Sequence, residues 1–286
     1  MGQVLVTTLS NASLYALIAV SLIVIYRTTG LLNFGAGFFA IAAGNFYVAA
    51  LNPGIVGVLI AMVATAMLLV VAYLVVVLWG ESHGVSHVSL SLAMLGAGLV
   101  VEYVTSRIWS HRPRRADAII DDTVTFGGTT FAADRLLVMG AAAICLVGLV
   151  LLIDKTMIGH TIEAVADDRQ LARLYGIPSL AAACVAWGIA GALLGLAGAA
   201  QATVAASSFD VAVPLFVLAA AAAVIGGLGG IGKAIAGAVL VALVQAAAVQ
   251  WVSSRYSVSI VFVLLFLVLM LRPQGLLGAA RAAERV

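Results

Sequence analysis

Apolar runs fill most of this chain, and the polar residues between them mark where each run stops. Between Pro53 and Glu81 lie 27 residues without a charge, among them IVGVLIAMVATAMLLVVAYLVVVLW. About 20 apolar residues suffice for an α-helix to cross the hydrocarbon core of a bilayer. Runs bounded by charges and turn residues predict nine helices, near 8–27, 33–51, 55–79, 88–108, 135–153, 179–204, 212–228, 234–252 and 257–271. The second and the seventh are short and interrupted by Gly, Asn or Pro, so each reads either as a crossing or as a broken, re-entrant piece. The fold class is therefore all-α, a polytopic transmembrane helical bundle of eight or nine membrane segments, with residues 1–286 forming one domain.

Two stretches interrupt the pattern. SHRPRRADAIIDDTVTFGGTTFAADR mixes charges of both signs and carries the turn-forming pieces FGG and TT, so residues 109–134 read as a compact loop with a turn or small hairpin. DKTMIGHTIEAVADDRQLARLYGIP, residues 154–178, holds seven charged residues in 25 positions. Such a density in so apolar a chain places the segment outside the membrane, as short helices ended by Gly176 and Pro178.

Composition supports the membrane assignment: 64% of residues are hydrophobic and 9% are charged, too few charges to cover a soluble domain of this size. The net charge of +2 comes from scattered loop residues, and no basic run points to nucleic acid. Cys145 and Cys184 lie in apolar segments and read as small buried hydrophobes. The first basic residue is Arg27, so the first helix is expected to be retained rather than cleaved as a signal peptide. If residues 154–178 and the tail face the cytoplasm, that side collects eight Lys and Arg against six opposite, a narrow majority by the positive-inside rule.

GGLGGIGKAIAG, residues 226–237, sets Gly227, Gly232 and Lys233 at phosphate-loop spacing. A phosphate loop needs a preceding strand and a Ser or Thr after the Lys to bind magnesium. Here that position is Ala234, and apolar helices are predicted on both sides. Gly188, Gly191, Gly195 and Gly198 repeat at three and four residues and form a smooth stripe on one helix, which favours close helix packing. Glu102 is expected inside or just below the membrane boundary, either in a polar pathway or paired with Arg107 or headgroups. Asn33 and Asn45, with neighbouring glycines, serve either a pathway or inter-helix hydrogen bonding. His83, His87, His111 and His160 show no metal-ligand spacing and read as loop residues, and no catalytic constellation is present.

Four patches in register resemble the permease subunits of branched-chain (hydrophobic) amino-acid ABC importers. LYALIAVSLIVIYRTTGLLNFGAGFFAIAAG is similar to the family's first helix and its Asn-Phe-Ala-His-Gly element: Asn33, Phe34 and Gly37 match, while Gly35 and Ala36 replace Ala and His. WSHRPRRADAI resembles an outer Arg-Pro-Arg loop. MIGHTIEAVADDRQLARLYGIP resembles the cytoplasmic coupling segment, with His160 and Glu163 departing from the usual basic residues. The fourth comprises AWGIAGALLGLAGA, VIGGLGGIGKAIAGAVL and the ending VLMLRPQGLLG, close to the family's Arg-Pro-Gln-Gly-Leu.

The resemblance implies a transport subunit without its own nucleotide site, with ATP and magnesium held by partners. Those partners are two ABC ATPase subunits, a second related permease and an external substrate-binding protein, in a bacterial cytoplasmic (inner) membrane with the C-terminus cytoplasmic. It implies ATPase coupling through Glu163, Ala164, Asp167, Asp168, Arg169, Arg173 and Gly176. A translocation pathway would take in Asn33, Phe34, Gly37, Phe38 and Glu102. Gly191, Gly195, Gly198, Gly226, Gly227 and Gly229 would serve hinges and packing. Branched-chain amino acids are the expected substrate class, with urea or short amides as the alternative given Ala36 in place of His. The rival class is a self-sufficient secondary carrier or channel, in which Glu102 would be the ion-coupling carboxylate.

Overall fold

A computed structural model describes residues 2–51, 54–109, 112–117, 119, 123–126, 129–272 and 275–276. His111, the tail arginines Arg281 and Arg285, and Pro273 and Gln274 of the Arg-Pro-Gln-Gly-Leu ending lie outside the described residues. The helices are α1 (Gly2–Thr29), α2 (Ala36–Ala50), α3 (Ile55–Ala72), α4 (Trp79–Ser82), α5 (His87–Trp109), α6 (Ala133–Lys155), α7 (Met157–Asp167), α8 (Arg169–Leu174), α9 (Ser179–Val204), α10 (Ala212–Gly226), α11 (Ile231–Trp251) and α12 (Ser257–Leu271). A π-helical turn, Tyr73–Leu78, joins α3 to α4 without a break, and a 3-10 turn, Phe209–Val211, leads into α10.

Among the described residues eight helices are long and apolar enough to span a membrane, and Ala36–Ala50 is a shorter apolar ninth. The seventh expected helix qualifies as a crossing only with its 3-10 turn, as Phe209–Gly226. An antiparallel hairpin of β1 (Thr123–Phe126) and β2 (Thr129–Ala132) sits in the loop before α6 and is the only sheet among the described residues. Phe126 pairs with Thr129, so the small hairpin expected from the FGG and TT pieces is present.

The bundle has two distinct ends. Arg27 near the end of α1, Ile153 of α6, Ile162, Glu163 and Ala166 of α7, and Ile231 at the start of α11 line one small void, so these termini share an end. The chain's tail returns there, where the Leu276 amide donates to the Ile225 carbonyl at 2.8 Å. The opposite end carries the hairpin and the loop 112–117. That loop is pinned by the Arg114–Ser207 bridge and by the Ala116 amide on the Ala202 carbonyl at 2.9 Å.

α1 and α9 form the middle of the bundle, and glycine makes their packing possible. A Cβ at Gly191 would stand 2.6 Å from Ala66 Cα, one at Gly195 would stand 2.7 Å from Met62 Cα, and one at Gly198 would collide with the Ala40 carbonyl. The stripe therefore seats α3 and α2 at backbone contact, which gives membrane helices the dispersion contacts that hold them together.

α2 and α10, at 15 residues each, are about 22 Å long, short of the roughly 30 Å hydrocarbon core. Gly37 lies against the Ala212 carbonyl, and Phe34 meets Phe216 edge-on with centroids 5.8 Å apart. Their N-termini thus meet inside the bundle, and one helix runs from that meeting point toward each end.

Candidate functional site

Residues 154–178 form two short helices whose ends are satisfied locally. Thr156 caps α7 by accepting from the Gly159 amide at 3.2 Å. Asp168 caps α8, its Oδ1 accepting from the Gln170 and Leu171 amides at 2.8 and 2.9 Å. α8 ends at Gly176, φ +77°, with the Gly176 amide on the Arg173 carbonyl and the Ile177 amide on the Ala172 carbonyl, both at 3.0 Å. This double closure needs a left-handed residue, which glycine supplies at little cost. Ile177 packs with Val165, Ala172 and Ala182, gluing the segment to the start of α9. The outward surface presents Asp167 and Arg173 beside Leu171, Leu174 and Tyr175, the last two 85% and 79% exposed. Glu163 is half-buried, 3.9 Å from His160, and the Ala164 carbonyl accepts from the Asp168 amide at 3.3 Å.

Arg169 turns inward, not outward with the other charges. Its Nη1 and Nη2 donate to Glu81 Oε1 and Oε2 at 3.2 and 3.3 Å, a two-pronged pair whose side chains are 27% and 18% exposed. Burial lowers the guanidinium pKa, but the Glu81 carboxylate and the Tyr73 hydroxyl more than offset this, and the group is held above its ordinary value. Tyr73 opens the π-helical turn and stacks on Trp187 of α9, centroids 5.1 Å apart. The first turn of α8 is thus joined to α4, the π turn and the middle of the bundle. Among the described residues, Arg169 Nε, Tyr73 Oη and Trp187 Nε1 are buried without hydrogen-bond partners. Glu81 escaped the sequence reading of sites; its only signal was being the first charge after a long apolar run.

The expected pathway residues gather around the break between α1 and α2. Asn33 is fully buried, and its Oδ1 accepts from the Gly35 amide at 3.0 Å. Phe38 lies against Gly98 of α5, and Gly37 against α10. Glu102 stands one turn beyond Gly98, half-buried and about 10 Å along α5 from its end at Trp109. Among the described residues it makes no ion pair with Arg107, whose guanidinium instead sits 5.3 Å over the Tyr103 ring.

GGLGGIGKAIAG is a helix hairpin, with α10 before it and α11 after it, and not a strand-loop-helix phosphate site. Gly227 takes φ +99° to end α10, and Gly226 lies against the Lys233 backbone. Gly275 of the tail, φ +83°, rests on Gly227, so two separated stretches of the fourth patch form one contact. A Cβ at Gly229 would come no nearer than 4.0 Å, to the Lys233 ammonium, among the described residues.

A bundle of apolar helices, two of them short, with a capped, charged segment at one end is the build of a multi-pass membrane protein. The chain matches the family of branched-chain amino acid transport system permease components over residues 4–270 and belongs to it. It is 24% identical over 298 residues to the high-affinity branched-chain amino acid transport system permease protein BraD of Pseudomonas aeruginosa, covering 96% of this chain and 95% of that one. Among solved structures it is similar to PsaBC from Streptococcus pneumoniae in complex with Fab, at 13% identity and a TM-score of 0.48 over 91% of this chain and 88% of that one. The family match does not favour a self-sufficient carrier or channel.

Proposed function

We propose that this chain is the membrane-spanning subunit of an ATP-driven importer for branched-chain or related hydrophobic amino acids. Two ABC ATPase subunits would supply hydrolysis with their own ATP and magnesium, a second related permease would complete the passage, and an external binding protein would deliver the solute. The family match across residues 4–270 carries this reading. The exposed face of residues 154–178 would meet the ATPases, with Leu174 and Tyr175 as apolar contacts and Asp167 and Arg173 as charged ones. Arg169, paired with Glu81, would pass the motion of that segment inward to the π turn and α9, as a two-state element biased by nucleotide requires. Asn33, Phe34, Gly37, Phe38 and Glu102 would border the route through the bundle. The coupling end and C-terminus would face the cytoplasm of a bacterial cell, placing the chain in the cytoplasmic membrane. Mild affinity purification followed by mass spectrometry tests this. Stoichiometric ATPases and a second permease are expected; the chain alone, competent for uptake without ATP, would overturn it.

A further inference from the structure

Most grooves on this bundle are lined by apolar side chains and suit lipid acyl chains. A cavity of about 640 Å³ between α3 and α9 is bounded by Leu59, Met62, Val63, Ala66, Met67 and Val70 among others of the same kind. One groove differs. Between the outer parts of α1 and α11, at the end away from the coupling segment, a cavity of about 350 Å³ is lined by Thr7, Thr8, Asn11, Gln245 and Gln250 together with Val4, Ala246 and Val249. Asn11 lies in the third turn of the membrane-spanning α1, and Gln245 six residues, about 9 Å, before Trp251 at the end of α11. Carboxamides at that depth are costly against acyl chains, and are retained where they meet water, another polar group or a ligand.

The hydrogen-bonding inventory leaves these amides open. Thr8 is satisfied by the Val4 carbonyl at 2.7 Å. Gln245 Oε1 accepts from the Tyr15 hydroxyl at 2.5 Å, which ties this lining residue of α11 to α1. The accepting oxygen leaves the Gln245 Nε2 donors free, and neither Asn11 nor Gln250 has a hydrogen-bond partner among the described residues. The groove therefore offers amide donors for a carboxylate, amide and hydroxyl oxygens for an ammonium, and an apolar wall, with no charged residue in its lining among the described residues.

We propose that this groove is an outward-facing subsite for a small zwitterionic amino acid with an apolar side chain, its Gln245 held in place by the hydrogen bond to Tyr15. This rests on the importer reading above and names a site for its solute. A neutral lining suits a solute with no net charge, and weak, multiple amide contacts hold it without trapping it.

The test uses the assembled transporter in right-side-out membrane vesicles loaded with ATP, carrying Asn11→Cys or Gln245→Cys in a background of Cys145→Ala and Cys184→Ala. A membrane-impermeant, cationic methanethiosulfonate is applied outside, with Val239→Cys of an apolar groove as the reference. Both groove cysteines should react faster than the reference. Leucine at ten times its half-protecting concentration should slow them about tenfold, as simple occupancy requires. Reaction without protection by leucine, protection by urea or acetamide alone, or no reaction above the reference each overturns the subsite. Vesicles of the unmodified transporter that fail to accumulate leucine with ATP would instead sink the importer reading, so the two failures are separable.

Discussion

The charged end and the middle of the bundle hold short helices by opposite means. α8 has six residues and stands in water, where its stability comes from an Asp168 cap, a glycine closure and one ion pair. α2 has 15 residues and lies within the bundle, where its cap makes no side-chain hydrogen bond and its hold comes from glycines that let backbones touch. Water competes for every exposed amide, so a short helix there needs its ends satisfied by its own residues. Acyl chains offer no such competition and no hydrophobic drive, so close approach decides. A rigid middle and a separately built charged end suit a subunit that is moved from outside.

Substitutions can break each half of that contrast. The largest effect is expected for Gly198→Val: its side chain would meet the Ala40 carbonyl and Gly44 amide, backbone that cannot yield as a side chain can. Overpacking of ordinary cores costs about 1–3 kcal/mol, and this change should exceed that and abolish monodisperse protein in detergent. Gly96→Ala, with nothing within 4 Å, should be neutral or stabilising by up to about 1 kcal/mol in the same assay.

Next comes Glu81→Gln, which leaves Arg169 half-buried without its carboxylate and should cost about 2 kcal/mol. Uptake should fall more than ATP hydrolysis, and the exchange Glu81→Arg with Arg169→Glu should restore part of it. Equal loss of both activities with no recovery in the exchange would reduce the pair to a fold contact. Because the Arg169 pKa is raised, its share of stability is present below the ordinary guanidinium value of the unfolded chain and is lost only as pH rises through the still higher folded value. Raising pH over the range in which membranes are assayed should therefore not release the pair by deprotonating Arg169.

A smaller effect is expected for Asp168→Ala, about 1 kcal/mol from two uncapped amides, with Asp168→Ser restoring most of it. Gly176→Ala should cost a similar amount through its left-handed backbone. Amide exchange should quicken in α8 and leave α2 unchanged; faster exchange in α2 would show that the two regions are not built independently.

Sequence made the membrane bundle, the glycine stripe and the charged segment 154–178 legible, because each is written in local composition. The limits of α9 and α12 follow the predicted 179–204 and 257–271 residue for residue. α1 begins about six residues earlier than expected, at Gly2, because Thr7, Thr8, Ser10 and Asn11 weaken the apolar signal there. Three of those residues line or border the outer groove, so the polarity that hid the helix start is what marks the cavity. The Glu81–Arg169 pair joins residues 88 apart, and the meeting of Gly37 with Ala212 is more distant still. Neither leaves a periodic trace. The π turn follows from no local residue preference in YLVVVL that distinguishes it from an ordinary helix.

The account stands or falls on what the charged end touches. Leu174→Cys, 85% exposed on α8, should be cross-linked by a short bifunctional reagent to an ATPase subunit in the native membrane, with a yield that changes when ATP is bound. Cross-linking to no ATPase, while a cysteine placed at Trp251 on the opposite end captures one, would contradict the assignment of the coupling end and invert the orientation on which the account depends.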